Sequence, residues 1–270
     1  MLALDRERRT LPQHLIRLAQ YRELLFNLAA RDLKIRYKQS VLGVAWAIVQ
    51  PFALMVVFSV VFSFFVHVKT AGIPYPIFSY VALVPWTYFV NTLNFGVSSL
   101  VGNANLVSKI YFPREIFPLA SLLACLVDFL VASAIFAGML LYYHIGLTLQ
   151  ILWLPLLVVL QMALMSGLLL VLSAANVFFR DVRLLLPFVL QIGMYVTPII
   201  YPLSLIPARY QLFFSLNPMS GIIDGYRQVI VRGQPPDLSL LALSAVVSLV
   251  LLVVGYRYFK GVEMQFADVI

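Results

Sequence analysis

Asp128 is the single charged residue in the apolar run 116–143. It lies ~18 Å along a helix from residue 116, at about 1.5 Å per residue. A carboxylate at that depth is costly in hydrocarbon and is a functional candidate by default. As a proton relay it would need company, since such devices string together several acids or a histidine. The other long apolar runs contain no Asp, Glu or His. A hydrogen-bonded packing role is therefore the preferred reading.

The second chemical feature is basic. Arg31, Lys34, Arg36 and Lys38 crowd one short segment. Arginine pairs bidentately with phosphate, and anionic lipid attracts such a cluster at roughly 1 kcal/mol per residue. On a helix, Arg31, Lys34 and Lys38 share one face while Arg36 points elsewhere. Lipid anchoring is the simpler reading, and a specific phosphate ligand stays open beside it.

Enzymatic chemistry finds little to stand on. A phosphate-cradling P-loop ends in Gly-Lys-[Ser/Thr], yet none of Lys34, Lys38, Lys69, Lys109 and Lys260 follows a glycine. His14, His67 and His144 have no second His or Cys at metal-ligand spacing, so no metal is expected. Cys125, the lone cysteine, reads as a small buried apolar residue. No Gly-x-Ser-x-Gly elbow occurs, and the close carboxylate pair Asp5 and Glu7 sits in a polar tail.

Membrane helices must position these residues. The chain is 62% apolar and 11% charged, where a soluble domain carries about 25% charged residues. A span needs roughly 20 apolar residues. Six stretches qualify: 41–66, 78–101, 116–143, 147–179, 184–200 and 238–256. The expected fold is an all-α integral membrane protein with six transmembrane helices. Residues 1–40 form a cytoplasmic segment, and 41–270 form the membrane domain. Within the former, Leu11, Leu15, Leu18, Leu25 and Leu28 recur at helical steps, which predicts an amphipathic interfacial helix. Pro202, Pro207 and Pro218 cut the apolar outer segment 201–237 into pieces of roughly 10 residues, too short to span. Two short re-entrant helices are expected there, before the last span.

Charge fixes the orientation. With the N-terminus inside, fifteen of the nineteen Lys and Arg residues fall on the cytoplasmic side, so both termini are expected in the cytoplasm. A net charge of +8 could suit nucleic acid, but nine of the nineteen basic residues lie in the first forty positions. A membrane surface explains that distribution better, and no nucleic-acid partner is expected.

Four motifs carry a family resemblance. Residues 31–43 read Arg-Asp-Leu-Lys-Ile-Arg-Tyr-Lys-Gln-Ser-Val-Leu-Gly, followed by Trp46 and Gln50-Pro51. Residues 105–115 read Asn-Leu-Val-Ser-Lys-Ile-Tyr-Phe-Pro-Arg-Glu, and 178–183 read Phe-Phe-Arg-Asp-Val-Arg. Residues 198–202 read Pro-Ile-Ile-Tyr-Pro, with Asn217-Pro218 beyond. In this order the sequence resembles the permeases of ABC exporters for O-antigen, capsular polysaccharide and teichoic acid, over nearly the whole chain. The resemblance implies a homodimer in a bacterial inner membrane, driven by two copies of a separate P-loop ATPase. That partner would hold ATP and Mg, and this chain no cofactor. The cargo implied is a polysaccharide on a polyprenyl-diphosphate lipid.

Roles for particular residues follow from this topology. The loop 102–115 is short and apolar at Leu106, Val107, Ile110 and Phe112, beside Lys109 and Arg114, with Asn105 among the candidate contacts. An apolar anchor rimmed by charge suits a groove on the ATPase, which is preferred to a turn resting on lipid. Arg180, Asp181 and Arg183 read equally as a second ATPase contact or as a positive-inside anchor. Arg31, Lys34, Arg36 and Lys38 are candidates for the cargo's diphosphate. Most aromatics near span ends read as an interfacial belt, but Trp46, Tyr195 and Tyr201, with Asp128, are candidates to line the path. Pro207, Asn217, Pro218 and Gly221 are candidate pivots of an outer gate, the alternative being a static cap. Competing readings are an ATP-independent lipid or glycolipid flippase, a secondary transporter, a membrane-embedded glycosyl- or phosphotransferase, and a structural subunit.

Overall fold

The computed structural model describes residues 20–68, 70, 72–109, 112–146 and 148–269. All regular structure among them is helical. In chain order the helices are α1 (Arg22–Tyr37), α2 (Trp46–Phe58), α3 (Tyr75–Gly96), α4 (Ser99–Gly102), α5 (Ala104–Lys109) and α6 (Ile116–Tyr142). They continue with α7 (Leu154–Phe178), α8 (Asp181–Val196), α9 (Ala208–Leu216), α10 (Pro218–Arg227), α11 (Leu238–Val262) and α12 (Phe266–Val269). Short 3-10 or π turns extend α2, α7, α10 and α11.

Among the described residues, four continuous helical segments are long and apolar enough to cross a bilayer: Gly43–Ser63, Ile116–Tyr142, Leu149–Phe178 and Leu238–Gln265. The other two expected spans form α3 and α8. α3 has 22 residues but carries Tyr, Trp, Thr, Asn and Ser along its length. α8 has 16 residues, about 24 Å of helix.

The composition of α3 follows from its place. Over residues 77–86 it is buried on every side, with Ile77, Tyr80, Val81, Ala82 and Leu83 all at 0% exposure, and it packs against α2, α6, α7, α8 and α10. A helix with no lipid-facing side has no need of uniform hydropathy, provided its polar groups find partners. Tyr75 donates to the Ile200 carbonyl at 2.8 Å, and Tyr80 donates to the Ala132 carbonyl at 3.0 Å. Tyr226 donates to Gln161 Oε1 at 3.2 Å, and Gln161 in turn donates to the Pro85 carbonyl at 2.8 Å. The lipid-like surfaces are elsewhere: Phe52, Val57 and Val60 on α2, Leu184, Phe188 and Val189 on α8, and Val246, Leu249 and Val250 on α11 are exposed.

α11 closes on α7 through glycine. A Cβ on Gly167 would lie 2.6 Å from the Leu251 carbonyl carbon, and one on Gly255 would collide with the Gly167 carbonyl oxygen. Close backbone approach between small residues is the usual adhesive between helices in lipid. Gly255→Ala is expected to force the pair apart at a cost of about 1–3 kcal/mol, read as a fall in the thermal midpoint of the purified chain. An unchanged midpoint would mean the crossing has slack.

The outer segment forms α9 and α10, of 9 and 10 residues. Asn217 caps α10 by accepting from Met219 N at 3.1 Å and donates to Thr197 Oγ1 at 2.9 Å. α10 is wedged inward, and Gly221 is there for contact: a Cβ would strike Ser244 and sit 2.9 Å from the Leu240 carbonyl. Gly221, a candidate pivot, is a close-packing position against α11. Arg227, read from the sequence as an outer-loop charge, is buried. Its guanidinium donates to the Pro198 carbonyl at 2.5 Å and to the Ile199 carbonyl, over the Phe78 ring at 3.8 Å. Those carbonyls lie just past the end of α8, where no further helical turn supplies donors.

His67 and His144 occupy the left-handed region, with φ of 56° and 54°. Histidine tolerates it better than most side chains, and both residues end helical segments. Among the described residues no group of three His, Cys, Asp or Glu side chains gathers for a metal.

Candidate functional site

One end of the bundle collects most of the residues singled out by the sequence. Its core joins Leu28 and Ala29 of α1, Leu100 of α4, Val107 of α5, Phe117 of α6, Val177 of α7, Phe259 of α11 and Phe266 of α12. Four chain segments remote in sequence therefore meet there: α1, the loop α4–α5, the α7–α8 corner and the C-terminal turns.

The loop is held rather than offered. Val107 is 1% exposed, Leu106 and Phe112 pack on the same cluster, and the Phe112 ring lies 5.3 Å from Phe117. Of the apolar anchor expected for a partner, Val107 is turned inward onto the chain's own cluster. A six-residue helix has no core of its own and uses its apolar side chain to stay attached. Asn105 and Ser108 face outward. Ile110 and the Lys109 side chain lie outside the described residues.

Behind the loop runs an ionic network. Lys260 Nζ lies 2.7 Å from Glu115 Oε2 and 2.9 Å from Glu263 Oε2. The Arg114 amide donates to Glu263 Oε1 at 3.2 Å, and its guanidinium donates to the Glu263 carbonyl. Glu115 is 2% exposed, and buried charge is tolerated only when paired. The network ties the start of α6 to the end of α11. In the sequence, Lys260 and Glu263 show only as an i,i+3 pair, with nothing to indicate Glu115.

The α7–α8 corner turns within two residues and exposes Arg180, Asp181 and Arg183. Beside them Phe179 is 69% exposed. The apolar side chain in a charged rim, expected of the 102–115 loop, stands here.

α1 packs along α6 in the same direction. Leu28 and Ala29 share a cluster with Phe117 and Ala120, Ser121 donates to Asp32 Oδ2 at 3.4 Å, and Arg36 Nη1 donates to Asp128. The carboxylate's other oxygen accepts from Tyr37 Oη at 2.7 Å, and Arg36 Nη2 donates to Cys125 Sγ at 3.2 Å. Arg36 also covers the Phe95 ring at 4.0 Å. Burial, then the bond to Asp128, pushes the Tyr37 phenol up to about 12, so it stays a donor at physiological pH.

Two of the candidate residues meet in this cluster. Asp128 is 7% exposed and answers to Arg36 and Tyr37, so its carboxylate is turned to α1. Arg36 is committed to Asp128 and is not free to hold a headgroup. The three remaining cations stay together: Arg31, Lys34 and Lys38 line one groove with Asn27, Ile35 and Tyr37. Arg31 pairs with Asp32 at 2.9 Å, while Lys34 and Lys38 are exposed. Of the helix expected over 11–30, Leu11, Leu15 and Leu18 lie outside the described residues.

The remaining candidates are scattered. Trp46 on α2 is 43% exposed and Tyr195 on α8 is 57% exposed. Tyr201 donates to the Tyr195 carbonyl at 2.7 Å. Pro207 is exposed at the start of α9, and Pro218 is half-buried at the start of α10.

Residues 23–231 match the family described as ABC-2 type transporter. The chain is 31% identical to an O-antigen export system permease protein RfbA of Myxococcus xanthus, over 93% of this chain and 96% of that protein. It is 26% identical to a protein of the same name from Klebsiella pneumoniae, over 92% and 95% of the two chains. Against the polysialic acid transport protein KpsM of Escherichia coli it is 24% identical, over 86% and 91%. A match across most of a chain whose longest helices are fit for a bilayer places it by descent: the protein belongs to the ABC-2 type transporter membrane family.

Proposed function

We propose that the chain is the membrane subunit of an ATP-driven exporter that carries a lipid-linked polysaccharide from the cytoplasm across a bacterial inner membrane. Two copies form the path, each crossing six times, with α3 and α8 as the second and fifth crossings and both termini inside. Two copies of a P-loop ATPase supply the energy. The observation that carries this reading is the end-to-end similarity to permeases named for O-antigen and polysialic acid export.

The geometry supplies supporting detail. The exposed corner of Phe179, Arg180, Asp181 and Arg183 and the outward residues Asn105 and Ser108 form one candidate face for the ATPase. The groove of Arg31, Lys34 and Lys38 fits a diphosphate headgroup. Trp46 and Tyr195 remain open on α2 and α8 and suit a surface on which sugars stack between two copies. With α10 packed inward, an outer gate would rest on α9, which is exposed at Tyr210, Leu212 and Phe213 and hinged at Pro207.

Reconstitution with a co-purifying P-loop ATPase is the direct test. Export of lipid-linked polymer into vesicles should require ATP and both proteins, and the pure chain should hydrolyse none. ATP consumption by this chain alone, or export without the ATPase, would overturn the reading. Replacing Arg31, Lys34 and Lys38 together by Gln is expected to lower export roughly tenfold or more, at about 1 kcal/mol per cation near the membrane surface, with membrane insertion intact. Unchanged export would remove the headgroup role.

A further inference from the structure

The end of the bundle opposite the loops holds a cavity that the transport reading does not use. It has a volume of about 600 Å³, within the range of ~300–1,000 Å³ common to small-ligand sites. Leu130, Ser133 and Ala137 of α6 form one wall, and Pro155, Val158 and Val159 of α7 form the other. Its floor includes Tyr226, whose hydroxyl is taken by Gln161. Ser133 in turn donates to the Phe129 carbonyl at 2.7 Å. The walls thus present hydrocarbon and leave little for water to bind.

The cavity opens sideways between α6 and α7. Leu130 and Val159 at its lips are 58% and 62% exposed, on two helices long enough to cross a bilayer. At the outer mouth stands Thr148, against which Gly233 packs so closely that a Cβ would lie 2.8 Å from its methyl. The neighbouring Arg232 is exposed, and its hydrogen-bond partner is the Gln228 carboxamide at 3.5 Å. Among the described residues no carboxylate lies within ion-pair distance of it. Of the two carboxylates of this corner, Asp224 lies in the field of Arg232 and accepts from Gln228 Nε2 at 3.4 Å, and Asp237 is engaged as the cap of α11, accepting from Ser239 N at 2.9 Å and Ser239 Oγ at 2.6 Å.

We propose that this cavity holds one acyl chain of a bilayer phospholipid with an anionic headgroup, whose phosphate rests on Arg232. The apolar walls select a hydrocarbon chain, the lateral opening admits it from the bilayer, and Arg232, next in the chain to Gly233 at Thr148, supplies the cation that selects negative charge. This site rests on the reading of α6 and α7 as membrane-crossing helices and is independent of the cargo.

The test is lipid retention by the purified full chain, read by native mass spectrometry after exchange into phosphatidylglycerol or phosphatidylcholine with matched chains. One phosphatidylglycerol per subunit should be retained, about fivefold in preference to phosphatidylcholine, whose choline ammonium offsets its own phosphate, the effect of one cation near a net anionic headgroup. Ala137→Trp should abolish retention by filling the cavity, and Ser133→Phe is the second filling variant if the first fails to fold. Arg232→Gln should keep the lipid but lose the headgroup preference. Retention undiminished in a folded filling variant would overturn the site. Displacement by undecaprenyl phosphate at lower concentration than phosphatidylglycerol would overturn the occupant.

Discussion

Asp128→Ala is expected to cost about 3–5 kcal/mol of stability, the penalty for removing one partner of a buried ion pair. The loss is large because Arg36 stays behind: its side chain is 14% exposed and α1 is held in place by the rest of its contact with α6. An orphaned guanidinium over Phe95 has Cys125 Sγ as a weak acceptor. The measurement is the thermal midpoint in detergent together with protease sensitivity of α1. Asp128→Asn should lose less, since its carbonyl still accepts from Tyr37. The informative variant is the double Arg36→Met with Asp128→Leu, which removes both charges at similar volume and should regain most of the loss. If the double variant is no better than Asp128→Ala, the two residues do not act as a pair. Export by Asp128→Asn should also be indifferent to the proton gradient, whereas a relay would lose its coupling.

That cluster shows where sequence reading stops. The depth of Asp128 and the divergence of Arg36 from the other three cations are both visible as spacing. Their meeting is not, because the partners lie 92 residues apart and only the packing of α1 on α6 brings them together. α3 teaches the same lesson about spans. Its Tyr, Thr and Asn residues lower its apolar character for a reason found in three dimensions, namely that five other helices surround it. The uniform runs now in α6, α7 and α11 were legible because lipid or apolar neighbours demand nothing more specific than hydrocarbon. Gly221 carries a second meaning that spacing does not show. A glycine near prolines reads as a hinge, yet its missing side chain serves the approach of α10 to α11. The 102–115 loop shows a third limit: apolar residues in a short exposed segment serve a partner or the chain itself, and spacing does not distinguish the two.

Lys260→Met is expected to detach that loop. Glu115 would keep the Tyr256 hydroxyl as a neutral neighbour but lose its cation at 2.7 Å, and Glu263 would face it as a second anion. The cost should be about 3 kcal/mol, the low end for a buried pair, because Lys260 is itself 20% exposed. The consequence for transport is larger than for folding. The network binds the start of α6, which follows the loop, to the end of α11, which is locked to α7 through Gly255 and Gly167. A push on the loop by an ATPase would therefore reach two spanning helices at once. Without Lys260 a push on the loop would still reach α6, which continues it, but less of it would pass to α11. The expected signature is a complex that still assembles and still hydrolyses ATP, but exports several-fold less polymer for each ATP consumed. Glu115→Gln combined with Lys260→Met should restore the thermal midpoint, since no buried charge is then left alone, without restoring the ratio of export to hydrolysis. Recovery of both would reduce the network to a fastening for the fold. Recovery of the midpoint alone would identify it as the linkage through which the cytoplasmic loop moves the membrane helices.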